Sequence, residues 1–157
     1  KELSNFNFVK LGEKLSDNEE LLKIFYYNAP LHIHENPKKY WKQQKFFDKL
    51  RKTDKIELRL SRLQKRKIKG TNQFYYVVKG DDIHLAAEMV KEAYEDNYDL
   101  AILVSGDGDF VPAIKIVQNK NKEVQNAYFK QSMSWELRQN CNKSFNLTKE
   151  ILDNCLE

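Results

Sequence analysis

The chain has 157 residues, of which 27 are Lys or Arg and 23 are Asp or Glu, giving a formal net charge of +4 and a pI of about 8.9. This length is typical of one domain with a hydrophobic core, so we predict a single domain over residues 1–157. The absence of a long apolar run and of a signal-peptide pattern predicts a soluble, cytoplasmic protein with no membrane partner. The mild basic excess permits a polyanionic partner without predicting one.

Cysteine and histidine do not indicate a metal site. Cys141 and Cys155 lack CxxC spacing, which favours free thiols over a zinc site or a disulfide framework. His32 and His34 lie between two prolines, where solvent-facing side chains are the simpler interpretation than metal ligands.

The N-terminal region predicts a helix. Phe8, Leu11 and Leu15 are spaced to share one helical face. Ser16 followed by Glu19 has the form of a capping box, which predicts the start of another helical turn.

A strand and a second helix follow. Leu22–Tyr27 is apolar and aromatic, which predicts a strand. Asn36 with Pro37 is a favourable N-cap and first-turn pair, and the helix that it opens is predicted to run to about Lys52.

The middle of the chain combines two predicted strands with the densest basic run. Lys55–Leu63 alternates apolar and charged residues, and Phe74–Val78 is apolar and aromatic. The basic run between them, Gln64–Gly70, has two interpretations. A solvated hairpin tip or loop is favoured when the run is taken alone, and the alternative is a patch that contacts phosphates beside aromatic side chains.

An acidic turn follows a predicted buried strand. Leu100–Val104 is an unbroken apolar run and predicts a strand that is buried on both faces of a parallel sheet. It ends in SGDGD, where two glycines are expected to give conformational freedom for a tight turn, and Phe110–Val117 then predicts a helix. Ligands of open α/β sheets bind at such strand ends, so this turn is the main functional indication.

The remaining pattern completes an α/β protein. Asp82 is predicted as the N-cap or a first-turn residue of the helix before the acidic turn. Further segments predict a strand at Val124–Phe129 and helices at Ser134–Asn140 and Thr148–Leu156. Because strands and helices alternate, the predicted fold class is α/β with a mostly parallel sheet.

If Asp82 follows a strand of this sheet, it is predicted to approach Asp107 and Asp109 at one edge of the sheet. Carboxylates packed together repel unless a cation bridges them, and oxygen ligands suit Mg²⁺ or Mn²⁺. Metal-assisted hydrolysis of a phosphodiester is the chemistry that such a site serves. Each residue also has a local explanation, because Asp109 is a candidate N-cap and Asp107 a candidate for an Asx-type turn.

Two sequence blocks resemble a known family. KGDDIHLAAEMV (79–90) and YDLAILVSGDGDFVPAIK (98–115) resemble motifs of NYN domains of the LabA-like group, a branch of the PIN-like nuclease superfamily. The later SMSWELRQNCNKSFNL is also similar to the tail of that family. The resemblance implies a three-layer α/β/α sandwich, a divalent metal ion and ribonuclease activity.

The resemblance also implies roles for single residues. Asp82, Asp107 and Asp109 match acidic positions of the family, Glu88 matches a position usually held by Asp, and Ser105 matches a small hydroxyl residue. The family begins with a strand ending in a motif of the form FIDGxN, which this chain does not contain. We expect that an N-terminal portion with this strand is missing from the 157 residues.

We therefore predict a ribonuclease that uses Mg²⁺ or Mn²⁺. Asp82, Asp107 and Asp109 are the predicted catalytic and metal-binding residues, with Glu88 as a further candidate ligand. RNA is the predicted partner, and a homo-oligomer is compatible with the sequence. The predicted substrate-binding residues are Ser105, Lys79, Arg62, Lys65, Arg66, Lys67 and Lys69.

Two alternatives stay open. The first is an RNA-binding or assembly module without catalysis on the same fold. The second, ranked last, treats Asp107 as the nucleophile of a haloacid-dehalogenase-type phosphatase. That motif normally opens its fold, whereas only 48 residues follow Asp109 here, which leaves little room for the remaining Lys and acidic elements.

Overall fold

A computed structural model describes residues 5–157, and the chain divides into two compact units. One unit spans Lys23–His84, and the other combines Asn5–Leu22 with Leu85–Glu157. That the two units form one domain stays a prediction.

The helices are α1 (Phe8–Ser16), α2 (Pro37–Lys52), α3 (Asp81–Tyr94), α4 (Val111–Gln118), α5 (Trp135–Asn140) and α6 (Lys149–Asp153). The strands are β1 (Ile24–Asn28), β2 (Ile56–Leu60), β3 (Arg62–Lys67), β4 (Phe74–Lys79), β5 (Leu100–Val104), β6 (Glu123–Tyr128) and β7 (Lys143–Asn146). Among the helices of residues 5–157, none has the length and apolar character needed to cross a bilayer.

The Lys23–His84 unit contains a parallel strand pair covered by a helix. β1 and β2 run parallel, with Ile24 opposite Ile56. Phe47 and Leu50 of α2 are buried, as is Ile56 of β2, because the apolar face of this helix packs on the strand. The predicted bounds of α2 are confirmed, and the Asn36 side chain caps the helix by accepting the Lys39 N–H at 2.9 Å.

The same unit contains an antiparallel hairpin made of β3 and β4. Its register places Arg62 opposite Lys79 and Lys67 opposite Phe74. The preference for a basic tip or loop was therefore wrong for most of the run, since Lys69 alone of its basic residues lies in the turn that joins the strands. Both faces of this hairpin are largely exposed to solvent. Its basic side chains therefore stay hydrated while their backbone pairs in a strand.

The second unit is a sheet with helices on both faces. β5, β6 and β7 run parallel in that order. One face packs a core that includes Leu103 and Val124 against residues of α3, α4 and α5, and the opposite face packs Ala127 against Leu11 of α1 and Cys155. This unit therefore has three layers, and the predicted α/β class with mostly parallel strands is confirmed.

β5 is less buried than predicted. Leu103 is buried, but Val104 is 47% exposed and the other three residues are half-buried. Within residues 5–157, β5 pairs only with β6, so it forms an edge of its sheet. An edge strand is open along one side, which explains why its apolar sequence is not fully covered.

Other boundaries also differ from the sequence prediction. Ser16 ends α1, and a turn follows in which the Glu19 N–H donates to the Ser16 carbonyl at 2.9 Å. The predicted capping box is wrong, because the Ser16 hydroxyl donates to the Glu13 carbonyl at 3.2 Å. The closing helix α6 is shorter than predicted and has Thr148 as its N-cap. β7 was not predicted, because a four-residue strand with Lys143, Ser144 and Asn146 has no clear strand pattern.

Candidate functional site: an acidic turn at the end of β5

The turn after β5 is held by its own side chains. The Ser105 hydroxyl oxygen accepts the Asp107 N–H at 3.1 Å, and the Asp107 carboxylate accepts the Asp109 N–H at 2.9 Å. The predicted Asx-type turn at Asp107 is thus confirmed. The N-cap role considered for Asp109 was wrong, because Asp109 lies inside a short 3-10 helix, Gly108–Phe110, and α4 starts at Val111.

Both carboxylates of this turn face the solvent. Asp107 and Asp109 are exposed, whereas Phe110 beside them is buried in the core. The buried ring anchors the turn, and the hydrogen bond to the Asp109 N–H fixes one oxygen of Asp107. The turn therefore exposes two carboxylates on a backbone that the buried Phe110 ring and the Asp107–Asp109 hydrogen bond hold in place.

Asn126 of β6 supports the turn from inside the sheet. Its side chain is completely buried, and its amide donates to the carbonyl oxygens of Leu103 at 3.1 Å and Ser105 at 2.9 Å. These carbonyls belong to the last part of β5 and the first residue of the turn. Asn126 therefore holds the point at which the strand becomes the acidic turn, a role that no local sequence pattern indicated.

Gly106 permits a close approach between two loops. A Cβ atom at this position would lie 1.7 Å from the carbonyl oxygen of Ser132, far inside van der Waals contact. Within residues 5–157, the glycines with positive φ are Gly70 and Gly80, so neither glycine of the turn needs that conformation. The expected reason for these glycines was therefore wrong, and the requirement at Gly106 is space.

Glu136 is a carboxylate near the turn that the sequence analysis missed. A Cβ atom on Gly108 would lie 3.2 Å from the Ser134 hydroxyl and 3.5 Å from a carboxylate oxygen of Glu136. Hydrogen bonds from its own backbone N–H and from the Ser134 hydroxyl lower the pKa of Glu136. The predicted helix at 134–140 was the available signal, but only the fold brings its first turn to Gly108.

Asp82 and Glu88 lie on α3. Asp82 is exposed in the first turn of the helix, as predicted, and Glu88 is half-buried further along it. Asp82 belongs to the Lys23–His84 unit, whereas Asp107 and Asp109 belong to the other unit. Their assembly into a single site stays a prediction.

The acidic turn contains donors that suit a hard divalent cation. Across residues 5–157, no three His, Cys, Asp or Glu side chains are grouped closely enough to hold a metal ion. Asp107 and Asp109 nevertheless supply carboxylate oxygens from one short turn. Mg²⁺ commonly uses one or two carboxylates and keeps several waters, so this donor chemistry fits Mg²⁺ or Mn²⁺.

The predicted RNA-binding cations share the β3–β4 hairpin. Arg62, Lys65, Arg66 and Lys67 lie on β3, Lys79 ends β4, and Lys69 lies in the connecting turn. Lys65 pairs with Glu35 at 2.5 Å, and its ammonium group lies 4.7 Å from the centre of the Phe74 ring. Ser105, the remaining predicted substrate contact, lies in the acidic turn.

Fold and turn together define an α/β protein with paired carboxylates at the carboxyl end of a parallel strand. Comparison with protein families matches residues 1–148 to the NYN domain. The chain therefore belongs to the NYN domain family, a branch of the PIN-like nuclease superfamily, whose members generally use divalent metal ions.

A solved structure shares this fold. It is the crystal structure of a protein of unknown function from Vibrio parahaemolyticus, at 24% sequence identity and a TM-score of 0.66. The similarity covers 93% of this chain and 81% of that chain. The comparison with curated proteins found no match.

Proposed function

We propose that this protein is a ribonuclease that hydrolyses RNA phosphodiester bonds with a divalent metal ion held by Asp107 and Asp109. The observation that carries the proposal is the pair of exposed carboxylates on a fixed turn, in a chain of the NYN family. Asp82 and Glu88 are further proposed ligands, and Mg²⁺ or Mn²⁺ is the proposed ion.

The residues of the acidic turn have different proposed roles. Ser105 and Asp107 fix the backbone through their hydrogen bonds to the Asp107 and Asp109 N–H groups, so the carboxylates need little reorganisation to bind a cation. The Ser105 hydroxyl proton is available to donate to a phosphate oxygen. When bound, the ion would lower the pKa of a coordinated water and stabilise negative charge on the phosphate in the transition state.

The hairpin cations are the proposed contacts to the RNA backbone. Lys and Arg neutralise phosphates without reading sequence, so they support affinity and leave base preference to other contacts. The residues assigned to this role are Arg62, Lys65, Arg66, Lys67, Lys69 and Lys79.

The test is turnover of single-stranded and structured RNA with Mg²⁺ or Mn²⁺. We expect cleavage that EDTA abolishes and that excess Mn²⁺ restores. Asp107→Asn combined with Asp109→Asn should remove cleavage, because an amide keeps the Asx-type turn but loses the charge that holds the ion. Asp54→Asn, an exposed carboxylate elsewhere, is the matched control. Cleavage that persists in EDTA or in the double variant would contradict a mechanism in which Asp107 and Asp109 hold the metal ion.

A second candidate is RNA binding without hydrolysis, which the basic and aromatic hairpin favours. Salt-dependent RNA binding with no cleavage in any divalent metal would select this candidate. The LabA-like subgroup, a cytoplasmic location and a homo-oligomer remain parts of the proposal.

A further inference from the structure

The β3–β4 hairpin has two faces of different character. Successive strand residues point to opposite faces, and residues paired across the hairpin share a face. We call the arginine face the one that carries Arg62, Gln64, Arg66, Tyr75, Val77 and Lys79. The lysine face carries Leu63, Lys65, Lys67, Phe74, Tyr76 and Val78.

The lysine face is already engaged within its own unit. Lys65 pairs with Glu35, and hydrogen bonds with Lys65 and Tyr76 lower the pKa of Glu35. The His32 ring lies 5.6 Å from the Tyr76 ring, and its Nε2 atom is 3.1 Å from the Leu63 carbonyl oxygen. Lys65 is therefore ion-paired with Glu35, and Tyr76 contacts the loop that precedes α2.

The arginine face has a different charge balance. Arg62, Arg66 and Lys79 form no ion pair within the described residues 5–157. Tyr75 lies directly opposite Arg66 on the facing strand and is 45% exposed. The hairpin contains six basic residues and no acidic residue, so the positive charge of this face has no counter-charge on its own element.

We propose that the hairpin binds single-stranded RNA through the arginine face, with Arg62 and Arg66 on phosphates and Tyr75 stacked on a base. Arg62 and Arg66 are four residues apart on one strand, about 13 Å at the usual strand rise, which exceeds the spacing between neighbouring phosphates. A base in a duplex is already stacked, so Tyr75 selects unpaired strands. Taking RNA as the ligand rests on the proposed function, and the assignment of one face does not depend on cleavage.

Matched variants separate the arginine face from other positions. Arg66→Gln removes one charge from the arginine face, and Lys45→Gln removes one from an exposed position on α2. Tyr75→Leu removes an aromatic ring from the arginine face, and Phe74→Leu removes one from the lysine face. All four side chains are exposed, so each variant is expected to unfold at the wild-type temperature.

The experiment measures binding of a ~12-nucleotide single-stranded RNA to the full chain in EDTA, which stops metal-dependent cleavage. Arg66→Gln should lower the slope of log affinity against log salt by about 0.7, and Tyr75→Leu should weaken binding about 10-fold. Lys45→Gln and Phe74→Leu should change affinity by less than about 2-fold. Duplex RNA and polyglutamate of equal charge should compete poorly.

Three results would overturn the proposal. These are an effect of Lys45→Gln equal to that of Arg66→Gln, normal RNA binding by Tyr75→Leu, and competition by polyglutamate as strong as that by RNA, which would indicate an acidic protein partner. Loss of cleavage with intact face-specific binding would reject only the ribonuclease function. Cleavage with no face-specific binding would reject only the assignment of the arginine face.

Discussion

Single atoms decide how the acidic turn is built, and Gly106 is the clearest case. Its missing Cβ leaves room for the Ser132 carbonyl oxygen, which would otherwise be 1.7 Å away. The SGDGD pattern predicted a turn. From the sequence alone, however, a glycine that makes room for a distant loop looks the same as a glycine that adopts a positive φ.

Gly106→Ala is therefore expected to destabilise the protein by about 1–3 kcal/mol or more, because backbone must move to accept the methyl group. Gly108→Ala is the matched comparison, since its Cβ would meet side-chain atoms at 3.2 Å and beyond. Urea unfolding measures both variants. Equal stability of the two variants would show that the Ser132 carbonyl does not restrict the side chain at position 106.

Asn126 is the second residue on which the turn depends. Asn126→Leu removes both donors and leaves the Leu103 and Ser105 carbonyls without these bonds, at an expected cost of about 1–3 kcal/mol in the free energy of unfolding. Gln125→Leu, at the next position of β6 on the opposite face, is the control. If Asn126→Leu unfolds at the same urea concentration as wild type, the buried amide does not support the strand end.

At the scale of elements, a charged clamp joins the loops before β5 and β6. Lys122 forms ion pairs with Asp96 and, at 2.9 Å, with Asp99, and its side chain is only 10% exposed. The hydrogen bond from Lys122 lowers the pKa of Asp96, and the same contacts raise the pKa of Lys122. These loops adjoin the two strands that position the acidic turn.

The clamp predicts a pH-dependent contribution to stability. Because the folded pKa of Asp96 lies below its unfolded value, the contribution is complete above the unfolded pKa and is lost as pH falls through the folded pKa. The raised pKa of Lys122 means that the contribution is also lost at alkaline pH, as pH rises through the folded value.

Lys122→Met should therefore destabilise the protein near neutral pH, and its difference from wild type should shrink as the pH is lowered. Urea unfolding from about pH 8 to about pH 3 measures this difference. Lys115→Met, an exposed lysine on α4, should show no such trend. A difference for Lys122→Met that stays constant with pH would contradict the clamp.

Local patterns predicted most elements well. The bounds of α2 and β5 were correct because a capping pair marks the first and an unbroken apolar run marks the second. The missed strand β7 is short and polar, and the basic run became strand β3 through pairing with β4, a contact that no single segment contains.

At the scale of the whole molecule, charge is unevenly distributed. The β3–β4 hairpin carries six basic residues without an acidic one, more positive charge than the formal net charge of +4 for the entire chain. The sequence predicted this basic patch and the carboxylates of the acidic turn. It could not predict that Lys65 pairs with Glu35 or that Glu136 approaches Gly108, because these contacts depend on the folded loops.

The central claim is that Asp107 and Asp109 hold the ion that supports RNA hydrolysis. The most direct measurement is the initial rate of RNA cleavage as a function of Mn²⁺ concentration, for wild type, Asp107→Asn with Asp109→Asn, and Asp54→Asn. The account predicts a saturable rise for wild type and Asp54→Asn, and a rate lower by about 100-fold or more for the double variant, because removing the charges removes the ion that stabilises the transition state. A double variant that cleaves RNA with the wild-type Mn²⁺ dependence would contradict it.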